Sequence, residues 1–115
     1  MTTIPPEYDL GDADRRRLET LHEKTDPGAV VDTFKALTDP LRISVLRLLA
    51  QRALCVCVLV SVLDVEYSKL SYHLKILREA GLVEKERDGN FAEYRLTDRG
   101  EEVVEIVEQV LVENA

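Results

Sequence analysis

Hydrophobic positions recur at helical spacing through most of this chain. Val30, Val31, Phe34 and Leu37 fall on one face of a segment opened by Asp26-Pro27. Leu41, Val45, Leu48 and Leu49 do the same in a segment opened by Asp39-Pro40. In each case an aspartate ahead of a first-turn proline marks a helix start. From Leu54 to Leu63 almost every residue is apolar. That run is too short to cross a bilayer and predicts a helix buried on most sides. Leu70, Leu74 and Leu77 give a further helix one buried face, and Gly81 supplies its C-terminal stop. The pattern then changes. Val83 to Asp88 and Phe91 to Leu96 read as two strands turned at Gly89-Asn90, a two-residue hairpin signal. Thr97 and Asp98 cap a last helix, in which Val103, Val104, Val107, Val110 and Leu111 form a stripe opposite glutamates. Upstream, residues 1–11 show little periodicity and predict an irregular arm. A polar helix follows, capped by Asp12 or Asp14 and running to Lys24.

The order is therefore five helices, a hairpin and a final helix, which makes the fold class mainly α with a small β-hairpin (α+β). The fifth helix turns Ser68, Lys69, Ser71, Tyr72 and Lys75 outward. Small polar, cationic and aromatic groups are what a helix needs in a major groove, to touch phosphates and base edges. A reading helix followed by a hairpin is the winged helix-turn-helix arrangement, so the expected partner is double-stranded DNA. Arg87 and Asn90 at the wing tip are placed to reach the adjacent minor groove or its phosphates, with Glu86 and Asp88 opposing them. The plainer alternative is a solvated amphipathic face, which any surface helix has. Arg42 and Arg47 read as solvated charges, Phe34 and Phe91 as core or hairpin anchors, and Tyr94 as packing. The expected organisation is an arm and polar helix over 1–26, a DNA-binding domain over 27–97 and a dimerisation helix over 98–115. A domain this small buries a modest core, which favours a homodimer sharing its terminal helices.

Charge complicates this picture before it supports it. The chain has 115 residues and a net charge of −7. Residues 1–26 carry −3, residues 27–65 carry +1, residues 66–97 are neutral and residues 98–115 carry −5. The acid thus sits at the two ends, and local potential rather than net charge decides phosphate binding. The six acids among residues 66–97 still predict weaker or more salt-sensitive binding than in a basic regulator. With no secretory leader pattern and no spanning run, a soluble cytoplasmic protein without membrane contact is expected.

Cys55 and Cys57 are the chain's two cysteines. Their spacing suits metal or redox chemistry better than a long-range structural disulfide. In a regular helix, side chains two positions apart diverge by about 200°. Two thiolates so placed cannot close on one ion unless the first turn bends or unwinds. A soft ion would then select one conformation, as a ligand-driven population shift requires. A disulfide between them is disfavoured by the same divergence. The plainer alternative is a pair of buried small hydrophobes.

Leu54-Cys55-Val56-Cys57-Val58-Leu59, Leu37-Thr38-Asp39-Pro40-Leu41-Arg42, Ser71-Tyr72-His73-Leu74, Leu77-Arg78-Glu79-Ala80-Gly81-Leu82-Val83 and Tyr94-Arg95-Leu96 together resemble the arsenic-repressor (ArsR/SmtB) family of winged-helix regulators. The resemblance runs from about Asp32 to Leu96. It implies a homodimeric repressor, not an enzyme, that binds a palindromic operator and has no permanent cofactor. It implies release when Cys55 and Cys57 capture an inducer, As(III) or Sb(III) first, otherwise Hg(II) or Cu(I). Arsenic-sensing members often carry a third cysteine three residues after the second, where this chain has Val60. A trigonal ion would need water, a small thiol or a non-cysteine group to complete its shell, whereas two thiolates suit a nearly linear ion. Zinc-sensing relatives use Asp and His on the final helix, which here contains no histidine. His22 is expected at the surface. His73 resembles the family's recognition-helix histidine, which packs or touches phosphate. Alternatives are a winged-helix regulator whose cysteines sense redox state or do nothing, an interaction module using the acidic ends, and a thiol-redox enzyme. The last lacks the Cys-x-x-Cys spacing and βαβ context.

Overall fold

Asp26, Asp39 and Thr97 cap the helices that the sequence predicts after them. The computed structural model describes residues 3–89 and 91–114. The chain divides into two units, Met1–Val30 and Val31–Ala115. In the first, a 3-10 turn at Pro6–Tyr8 interrupts the arm expected to be irregular, and α1 runs Gly11–Lys24. Asp9 Oδ1, not Asp12 or Asp14, accepts the Gly11 N–H at 3.1 Å, so the helix starts earlier than predicted. No residue of α1 is buried. α2, Pro27–Ala36, opens where Asp26 Oδ1 accepts the Gly28 N–H at 3.0 Å.

The second unit holds the core. α3, Pro40–Leu49, is capped by Asp39, whose carboxylate accepts the N–H groups of Leu41 (2.8 Å) and Arg42 (3.4 Å). A two-residue strand β1, Leu54–Cys55, leads into α4, Val56–Leu63, which ends on Asp64 at φ +52°. α5, Tyr67–Glu79, buries Leu70, Leu74 and Leu77 as its spacing predicts. Its end is a Schellman closure. Gly81 sits at φ +75°, its N–H bonds to Arg78 O, and the Leu82 N–H bonds to Leu77 O. β2, Val83–Asp88, and β3, Phe91–Leu96, pair antiparallel from Val83↔Leu96 to Asp88↔Phe91. β1 adds to the far edge of β3 through Leu54↔Tyr94 and Cys55↔Glu93, giving the order β1-β3-β2.

α6, Asp98–Asn114, begins at Thr97. The Thr97 hydroxyl accepts the Gly100 N–H at 3.0 Å and donates to Gly81 O at 2.6 Å, tying the start of α6 to the exit of α5. A Cβ at Gly100 would collide with the Leu82 carbonyl, so this approach requires glycine. Leu46, Leu59, Leu70, Leu74, Leu77, Leu82 and Val45 fill the centre of the unit.

Several burial expectations are corrected. Of α4, only Leu59 is buried, while Val58 and Val62 are exposed. Leu54 and Cys55 leave the predicted helix for β1 because their backbone groups pair with β3. Phe34 is not a core anchor, and it stands exposed with Val30 and Val31. The apolar face of α2 exists as patterned, but a single protomer does not cover it. α6 behaves in two parts. Val103 and Val104 are buried in the protomer's own core, whereas Ile106, Val110, Leu111 and Val112 are exposed.

Candidate nucleic-acid interface and cysteine pair

The reading face is built outward from the leucines of α5. With Leu70, Leu74 and Leu77 locked inward, Ser68, Lys69, Tyr72 and Lys75 are exposed and Ser71 is half-buried. Tyr72, 61% exposed, stands at the centre of this face, one turn from Ser68, Lys69 and Lys75. No side chain caps the N-terminus of α5 at Glu66. In the wing, Arg87 is exposed, and Asn90 lies outside the described residues. Arg95 is occupied instead by Glu84 (2.7 Å) and Glu86 (2.9 Å). The hydrogen bond it donates to Glu84 and the charges of both carboxylates hold its guanidinium above its ordinary pKa. Glu86, expected to repel phosphate, is therefore partly neutralised within the wing.

His73 packs, the first of its two expected roles: it is only 7% exposed. Its Nδ1 lies 2.8 Å from Arg42 Nη1. Arg42 is not the solvated charge the sequence predicts. It is 8% exposed and donates through Nε to Ala36 O at 2.7 Å and through Nη2 to Lys35 O at 3.4 Å. Arg42 lies one and two turns before Val45 and Leu49, at the border of the apolar face, and its fork finds two carbonyls at the end of α2 and a ring from α5. Burial pushes the Asp39 carboxyl up, but the Leu41 and Arg42 N–H donors and the nearby Arg42 charge outweigh it. The carboxyl is held below its ordinary value.

The cysteines do not sit on one helix. Cys55 is the N-cap of α4 with an extended backbone (φ −74°, ψ 159°), and Cys57 belongs to the first turn. The 200° divergence of a regular helix does not apply, and the two Cα atoms are 5.4 Å apart, inside the range a disulfide spans. The pair is joined as a disulfide, contrary to the sequence expectation. Cys55 is half-buried at the edge of the sheet and Cys57 is exposed. Among the described residues, no group of three or more His, Cys, Asp or Glu side chains gathers to hold a metal. His22 is exposed, as expected.

Residues 39–85, from the cap of α3 through the reading helix into β2, match the family model "Bacterial regulatory protein, arsR family". The chain is 34% identical over 90 residues to the uncharacterized HTH-type transcriptional regulator MJ1325 of Methanocaldococcus jannaschii, covering 76% of this chain and 99% of that protein. The chain belongs to the arsR family. It is also 48% identical over 66 residues to the arsenical resistance operon repressor of Bacillus subtilis, 56% of this chain. That match spans 63% of the repressor's length, under two thirds of it. Among solved structures, it resembles the homodimeric winged helix-turn-helix DNA-binding domain Mb0332 of Mycobacterium bovis, a possible ArsR-family regulator. The TM-score is 0.69 and the identity 26%, covering 92% of this chain and 93% of that one. The arsR family is one of DNA-binding transcriptional regulators, not enzymes. The fold is the winged helix-turn-helix expected, with β1 added to the hairpin. Among the described residues, no helix is long and apolar enough to cross a membrane.

Proposed function

We propose that this arsR-family chain is a homodimeric repressor whose α5 reads a palindromic operator and whose Cys55 and Cys57, once reduced, bind a thiophilic inducer. The observation that carries this reading is the placement of Cys55 at the N-cap of α4, with Cys57 in the next turn. Two sulfurs already convergent there can share one soft ion without unwinding a helix, and α4 leads through Asp64 directly into α5. The match to an arsenical resistance operon repressor favours As(III) or Sb(III). With no third donor gathered in the protomer's described residues, a trigonal ion would complete its shell with water or a small thiol. Hg(II) or Cu(I) would need only the two thiolates. The inducer pulls on the α4 N-terminus, which would shift Lys69 and Tyr72 against the groove and favour release. Exposed Ile106, Val110, Leu111 and Val112 on α6 support a second copy as the dimer partner.

The disulfide favours a second reading, in which oxidation rather than metal capture is the signal. Operator binding titrated with metal ions and with peroxide separates the two. Release by an ion, lost in Cys55→Ser/Cys57→Ser, supports metal sensing. Release by peroxide alone supports redox sensing.

A further inference from the structure

We propose that Arg42 is a positioning residue for DNA reading, holding α5 in register through the neutral imidazole of His73. The proposal rests on the DNA-reading function above. Arg42 stands where three elements meet: its backbone N–H binds Asp39, the cap of α3, its side chain binds the end of α2, and its fork reaches His73 across 31 residues of sequence. His73 is the one residue of α5 in the described hydrogen bonds that reaches another element with its side chain. The leucines of α5 resist its withdrawal from the core but allow rotation and sliding. A directed bond between two buried side chains sets both.

The bond has a direction that chemistry fixes. A guanidinium has only donors, so Nδ1 of His73 must offer its lone pair, which leaves the proton on Nε2. The ionisable groups that meet His73 are Arg42 and Asp39 from the α2–α3 junction and Tyr72 from its own helix. The Tyr72 ring packs edge-on against His73 at 5.2 Å between centroids, while remaining on the reading face. Displacement of His73 is thereby passed to a side chain placed to meet DNA.

The test is the affinity of the full chain for a labelled duplex spanning its own promoter. It is read by fluorescence anisotropy at constant salt and pH. His73→Leu, which fills much of the ring's place without an acceptor, should bind about tenfold more weakly than wild type. His73→Asn keeps an acceptor near the Nδ1 position, and its affinity should stay within about twofold of wild type. Should that variant fail to fold, as judged by circular dichroism, His73→Gln takes its place. Folded Arg42→Lys, which keeps the charge and loses the fork, should bind about tenfold more weakly. A folded His73→Leu that binds like wild type overturns the proposal, as does a His73→Asn that binds as weakly as His73→Leu. Arg42→Lys that melts lower yet binds like wild type makes Arg42 a stability residue only and also overturns it. Wild-type protein that binds no duplex overturns the DNA-reading function along with it.

Discussion

Lys69 and Lys75 offer the most quantitative handle on the interface. Both are exposed on α5, and neither takes part in an ion pair among the described residues. Each is therefore free to neutralise a phosphate. With Arg87, a dimer would present roughly six such cations, and each phosphate neutralised contributes about −0.9 to the slope of log K against log salt. The expected slope is near −5. Between about 50 and 200 mM salt, affinity should then fall by about three orders of magnitude. Lys69→Ala/Lys75→Ala removes four of the six cations, leaving a slope near −2 and a loss of only about tenfold over the same range. Fluorescence anisotropy with operator and scrambled duplexes at four salt concentrations measures both slopes. The loss at low salt should be the same for both sequences, because phosphates carry no sequence information. Parallel lines for wild type and variant would refute the assignment of these lysines to the backbone.

Two further predictions concern the frame that holds the reading helix. Thr97→Val removes the hydroxyl that caps α6 and anchors Gly81 O, and should cost about 1–2 kcal/mol. Melting followed by circular dichroism at fixed protomer concentration should show Tm lowered by about 4–16 °C, with Thr97→Ser close to wild type. Asp39 is held below its ordinary pKa, so its stabilising contribution is fully present above the unfolded-chain value. That contribution is lost as pH falls through the lower folded value. Denaturant unfolding should therefore show wild type more stable than Asp39→Asn at neutral pH, with the gap closing through the acid range below the ordinary carboxylate value. A gap that is constant with pH would remove the charge from the account.

Local signals carried most of the fold. Asp26, Asp39 and Thr97 cap the helices they precede, and Gly81 turns the chain from α5 into β2, because caps and stops act within a few residues. The hairpin has the predicted strand limits for the same reason. What escaped the sequence was non-local. β1 exists only because Leu54 and Cys55 find Tyr94 and Glu93 some forty residues on, and nothing in an unbroken apolar run marks that change of backbone. This one extended residue also reverses the geometry of the cysteine pair. Helical spacing sets Arg42 beside Val45 and Leu49 and His73 beside Leu70 and Leu77, but neither segment by itself reveals the other as a partner. The exposed faces of α2, α4 and distal α6 had the opposite problem: their apolar pattern was clear, but pattern alone does not say whether the same protomer covers it.

The measurement that bears most directly on the account is operator binding by the reduced protein, titrated with arsenite, antimonite, Hg(II), Cu(I), Zn(II) and peroxide, beside Cys55→Ser/Cys57→Ser. The account predicts tight binding to the promoter of its own gene, release by arsenite or another thiophilic ion, and no release in the double variant. Binding that survives every addition, or release that persists without the two sulfurs, would contradict it.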